Sequence, residues 1–268
     1  MSIAFLFPGR GSQRPGMLHR LPDTAASATV LAEADCALRE LASRSGPSPE
    51  AGAAGAAAAR EYADGIAELD TPEALEKSPV ACHVALLVAG VAGARALMED
   101  EGVRPGLVAG QDVGGYAAAV LAEVLTFEEA LRAVRLRGEL LARAEESARD
   151  VAIRLAQHLA TIKRRPQAVP YVSGVHGRSL RGDTNAVFEE LAWSVARPES
   201  WSGTASTLAD EGALCCVELP PGRALTGQIA AELPGMCAVS VEEHGIAEAA
   251  ELARSTAAGE AGDHRGLA

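Results

Sequence analysis

The chain reads as an α/β protein built around a mostly parallel sheet. Short apolar runs at residues 3–7 and 106–109 each lead directly into a glycine-containing turn and then toward a helical pattern. Further apolar runs follow at intervals filled by helix-length segments, the alternation expected of parallel strands with helical crossovers. Between them, residues 79–98 carry apolar side chains at helical spacing interleaved with Ala and Gly, which predicts a buried helix packed closely on the sheet.

In chain order, residues 3–7 are the first strand, and Pro8-Gly9-Arg10-Gly11-Ser12 is a tight loop. A helical pattern runs through 25–42. Residues 43–59 are a low-complexity connector, Ser/Gly/Pro followed by an Ala/Gly tract, inside one domain spanning 1–255. After the strand at 106–109, Thr126-Phe127-Glu128-Glu129 is a capping-box pattern that opens a helix through Leu141. Later strands are expected at 169–173, 214–218 and 238–241, with helices at 185–195, 201–211 and 223–232. The end, 256–268, is expected to be a flexible tail.

With 24 basic and 36 acidic residues, the net charge of −12 disfavours nucleic acid or an anionic membrane as the main partner. The cysteines at 36, 82, 215, 216 and 237 lack metal-ligand spacing, so buried thiols in a reducing compartment are expected, with neither metal nor disulfides. No basic leader region is visible and the longest apolar stretch reads as interrupted by turns. A cytoplasmic protein without a membrane span is the expectation.

The heptad Gly110-Gln111-Asp112-Val113-Gly114-Gly115-Tyr116 follows its strand directly. A strand followed by a Gly-x-nucleophile-x-Gly turn lifts the central side chain above the sheet, with the next backbone N–H placed to hold an oxyanion. Here the central residue is Asp112 rather than serine. The first glycine turn, Phe7 to Gln13, is compatible with a plain strand-to-helix turn, or with a second N–H aimed at the same point.

Together these segments resemble the malonyl-CoA:acyl carrier protein transacylases and related acyltransferase domains. PGRGSQRPGM is similar to that family's PGQGSQ opening. AGQDVGGYAAAVLAEVLTFEEALRAVRLRGELL is similar to its GHSLGEY elbow with the arginine-bearing helix behind, and PPGRALTG to its GPG-x-x-LTG segment. VALLVAGVAGARALMEDEGVRPGLVAG and ARPESWSGTASTLADEGALCCVELPPG resemble most closely the epsilon subunit of malonate decarboxylase. The likeness extends from residue 1 to about 245 and implies an acyltransferase, α/β-hydrolase-like core.

The resemblance implies malonyl transfer from coenzyme A to an acyl carrier protein through an elbow serine activated by a histidine, with no cofactor. It places Arg137 at the carboxylate-binding arginine, whose planar guanidinium suits two oxygens. It also places Arg10 and Val113 at the two oxyanion-hole N–H positions. Malonyl-CoA or another acyl-CoA, an acyl carrier protein and malonate decarboxylase subunits are the partners implied.

Against that pattern, Asp112 replaces the serine and Gln111 the usual histidine before it. The family's ferredoxin-like small subdomain and its histidine should fall near 142–153, where the sequence instead passes from one helix to the next. His158 lies about fourteen residues beyond, roughly 21 Å along a helix, and Ser194 stands where an amide would orient the histidine. His83, on the apolar helix, is either a structural residue or a group hydrogen-bonded to Asp112. Asp112 as nucleophile would have to form an acyl anhydride, and its charge would oppose malonate by about 4 kcal/mol at 4 Å and an effective dielectric of 20. The expectation is therefore a catalytically impaired acyltransferase. An active enzyme using Asp112 or His83, or a non-catalytic carrier-binding subunit, is the alternative.

Overall fold

The computed structural model describes residues 2–44, 65–143 and 145–263. Five strands form one fully parallel sheet: β1 (Ser2–Phe7), β2 (Leu107–Gly110), β3 (Tyr171–Val172), β4 (Ala213–Glu218) and β5 (Cys237–Ser240), in the order β3-β2-β1-β4-β5. The first strand is thus central, with Phe5 opposite Val108 on one side and Val217 on the other. Both faces are covered, which is why its side chains read as an apolar run rather than an alternating one. Phe5 and Phe7 join the larger core, while Ala4 and Leu6 pack with Trp201, Leu208 and Leu225 on the opposite face.

Between the strands run α1 (Ala25–Arg44), α2 (Pro72–Lys77), α3 (Pro79–Glu99), α4 (Gly114–Leu121), α5 (Phe127–Leu141), α6 (Ala148–Ala160), α7 (Thr184–Trp193), α8 (Trp201–Asp210) and α9 (Ala224–Glu232), and α10 (Val241–Asp263) follows β5. The elements given bounds from sequence agree with the structure to within one or two residues, apart from β3, which is shorter than 169–173; none are set for α2, α4, α6 and α10. The connector expected at 43–59 begins inside α1, and its remainder lies outside the described residues.

Helix α3 is the spine. Ser78 caps its N-terminus by accepting from the N–H of Ala81, and Pro79 occupies the first turn, where a missing N–H costs nothing. It is an unbroken helix, not a run interrupted by turns, and is long and apolar enough to cross a membrane; however, 94% of its most apolar stretch is buried inside the protein. Its small residues set how close it lies. A Cβ on Gly90 would sit 3.1 Å from the Phe7 ring, and one on Gly93 would sit 2.5 Å from Pro220.

The capping box on α5 is present, with Thr126 and Glu129 reciprocally bonded, and Ser147 and Asp150 form a second on α6. Residues 256–263 belong to α10, where a free tail was expected; the helix breaks at Gly245 (φ 75°) and then continues, while 264–268 lie outside the described residues. All five cysteines are free, but they are not uniformly buried as expected: Cys36 is exposed and Cys237 partly so. Cys215 and Cys237, register partners on β4 and β5, bring their sulfurs to 3.1 Å.

Candidate active site

The site forms where β1 and β2 end side by side. Asp112 has a φ of 51°, the left-handed conformation that Asp tolerates better than most residues, so the strand turns sharply into α4 and presents its side chain at the bend. Glycine makes the turn possible. A Cβ on Gly114 would lie 2.2 Å from the Phe7 carbonyl oxygen, and one on Gly9 would lie 2.5 Å from that of Gln111. The two glycine turns are therefore in backbone contact. Gln111 serves through its main chain, donating to Phe7 (2.9 Å) and accepting from Gly114 (2.8 Å).

The Asp112 carboxylate is held from two sides. One oxygen accepts from Arg137 Nη2, and the other lies 2.5 Å from Arg10 Nε. Arg137 is fully buried on α5, whereas the Arg10 side chain is half exposed. Burial of Asp112 would raise its pKa, but the two guanidinium groups outweigh that and hold it below the usual carboxylate range.

The buried His83 faces Arg137 rather than Asp112, with Nε2 3.5 Å from Nη1. The juxtaposition follows from Gly138, where a Cβ would strike the Val80 backbone at 2.6 Å, so α5 and α3 meet without a side chain between them. Burial, and then the positive charge of Arg137, push His83 down to about 3. At neutral pH it is an uncharged imidazole beside a guanidinium, a weak base.

Glu199, which has no recognisable sequence signal, completes the site. It immediately precedes Ser200, the cap of α8, and its two carboxylate oxygens accept from the Asp112 backbone N–H at 2.8 and 2.9 Å. Burial raises it to about 7, against the opposing effect of that hydrogen bond. Among the described residues, the backbone N–H groups of Arg10 and Val113 make no hydrogen bond to another protein group. Both thus lack a protein acceptor beside the elbow, that of Val113 in a fully buried residue.

Ser194, His19 and His244 are engaged elsewhere. Ser194 ends α7 with its hydroxyl 3.4 Å from the Leu191 carbonyl, His19 lies 3.5 Å from Asp70, and His158 is on α6. His244 approaches the Ser240 carbonyl at 3.0 Å.

A nucleophile-type elbow closing a parallel sheet, with backbone donors at its rim and an arginine beneath, defines an acyltransferase-type architecture. The chain belongs to the acyl transferase domain family, whose sequence pattern matches residues 4–189. It is 32% identical over 198 residues to polyketide synthase GfsE of Streptomyces halstedii, covering 70% of this chain and 4% of that one. It is also 34% identical over 140 residues to the malonyl CoA-acyl carrier protein transacylase of Escherichia coli, covering 52% of this chain and 38% of that one. The matched region thus spans well under half of either relative. The fold is similar to that of an acyl carrier protein S-malonyltransferase from Vibrio cholerae, with a TM-score of 0.73 at 21% identity over 90% of this chain and 97% of that one.

Proposed function

We propose that this protein is an acyltransferase relative that retains recognition of an acyl thioester and an acyl carrier protein but has lost covalent acyl transfer. The observation that carries this reading is the Asp112 carboxylate lodged between Arg137 and Arg10. A substrate carboxylate would need the same guanidinium, so residue 112 occupies its place from within the chain. The two arginines also spread and stabilise the negative charge of Asp112, which weakens it as a nucleophile.

The base expected of the family is lost with the small subdomain near 142–153, on this reading, because α5 and α6 are joined by a connection of only a few residues. His83 is no substitute: it is neutral, faces Arg137 and has a strongly depressed basicity. The unspent N–H groups of Arg10 and Val113 support a thioester carbonyl still being held at the elbow. The resemblance to the malonate decarboxylase epsilon subunit favours a role beside the carrier and other subunits of such a complex.

The test is incubation of the purified chain with malonyl-CoA followed by intact-protein mass spectrometry. An unmodified mass is expected, together with measurable binding of acyl-CoA and carrier protein by calorimetry. A stoichiometric malonyl adduct mapped to Asp112 would overturn the loss of transfer. Failure to bind either partner would overturn the recognition role.

A further inference from the structure

We propose that Glu199 is the acid–base group of this cleft and that the native chain hydrolyses an uncharged acyl thioester by delivering water to it. The inference rests on the thioester-binding role proposed above. It begins from position: both Glu199 carboxylate oxygens lie within 2.9 Å of the Asp112 N–H, one peptide before the free N–H of Val113. A carbonyl accepting from the Val113 N–H would lie one peptide from the N–H that Glu199 holds. No side chain intervenes at Gly174, which backs the Glu199 stem.

The two carboxylates of the site are driven in opposite directions. Asp112 is held ionised by Arg137 and Arg10, while Glu199 is raised to about 7, mainly by burial. Groups with divided proton affinities divide their roles: Asp112 is a fixed counter-ion, and Glu199 exchanges a proton near neutrality. The charged and titratable groups acting on Glu199 are Asp112 at the elbow, Glu190 on α7, Arg137 on α5, Arg10 after β1 and Tyr171 on β3.

In the reaction, Glu199 takes a proton from water as the water oxygen bonds to the thioester carbonyl carbon, and the resulting oxyanion rests on the two backbone N–H groups. The carbon–sulfur bond then breaks and Glu199 returns the proton to the leaving thiolate. One thioester and one water give one carboxylic acid and one thiol, with no enzyme-bound acyl group. Because Asp112 already neutralises Arg137, a malonyl carboxylate has no free cation to meet, and an uncharged acyl group such as acetyl is preferred.

The experiment measures thiol release from acetyl-CoA and malonyl-CoA by the full native chain and by Glu199→Gln, with acyl-CoA binding followed in parallel. Native protein is expected to favour acetyl-CoA, with a rate that rises with pH through about 7. Glu199→Gln keeps an oxygen for the elbow N–H and should lower the rate by roughly 100-fold, abolishing the pH limb. Binding without thiol release, or a rate and pH profile unchanged by Glu199→Gln, overturns the hydrolytic role while the binding role stands. Absence of binding overturns both. Should Glu199→Gln misfold, Glu199→Asp tests the same point: a shortened carboxylate with native rates would exclude Glu199 as the base.

Discussion

Replacing Asp112 by Asn is the most direct probe of the site, because it removes one charge while keeping size and backbone preference. Asn accepts the left-handed φ of 51° as readily as Asp does, so the elbow itself is not strained by the change. What is lost is the counter-ion of Arg137, which is fully buried and whose other side-chain hydrogen-bond contact among the described residues is the neutral His83. Breaking a buried ion pair from one side costs about 3–5 kcal/mol, since a desolvated charge is left behind. Asn still offers one oxygen to the guanidinium, which places the expected loss near the lower end, about 3 kcal/mol. The Arg10 contribution adds little, because that side chain is half exposed and its pairing is screened. Urea unfolding at neutral pH should therefore show a lower midpoint with an unchanged slope, and the deficit should persist at high salt. A difference below about 1 kcal/mol, or one erased by salt, would refute the buried clamp.

His83 gives a pH test. Its proton affinity is depressed in the fold from 6.5 to about 3, so the folded protein binds fewer protons than the unfolded chain in that window. Its contribution is complete above 6.5 and is lost as pH falls toward 3, by about 3 kcal/mol between pH 7 and roughly pH 4.5. Denaturant titrations of His83→Gln should lack this part of the acid slope, and an identical slope would mean that the imidazole is solvated. Gly114→Ala would drive a methyl group to within 2.2 Å of the Phe7 carbonyl oxygen and 2.7 Å of that of Pro8. A destabilisation of about 2–3 kcal/mol is expected from such backbone crowding, and wild-type stability on thermal or urea unfolding would show that the two turns are not locked together.

The order of elements was legible in the sequence wherever local chemistry marks it. Thr126 and Glu129 announce their helix, and the apolar runs of β1 and β2 stand out because both faces of the sheet are covered. Helix α10 gave a weaker signal. Beyond Gly245, which interrupts the pattern, the fully buried residues among those described are small, Ala249, Ala250 and Ala253, so the buried face carries little apolar contrast. The resemblance singled out Asp112, Arg137, Arg10 and Val113, and the structure brings all four to one place. What lies opposite them was not legible. His83 meets Arg137 only because Gly138 lets two helices touch, and Glu199 reaches the elbow from 87 residues away. Both depend on tertiary approach, for which neither periodicity nor a motif provides a mark.

The glycine-locked elbow has a consequence for how such a protein changes. Its bend is fixed by main-chain contact among Gly9, Gly110, Gly114 and the end of β1, and of the side chain at 112 only the Cβ, common to every residue but glycine, comes close to Gly9. Shape and reactivity are thus separable at this position, because the bend draws on the main chain and on no atom of the side chain beyond Cβ. The Asp at this position draws on arginines that the helix behind and the first turn supply, so its charge is balanced within the chain without any demand on the sheet beneath.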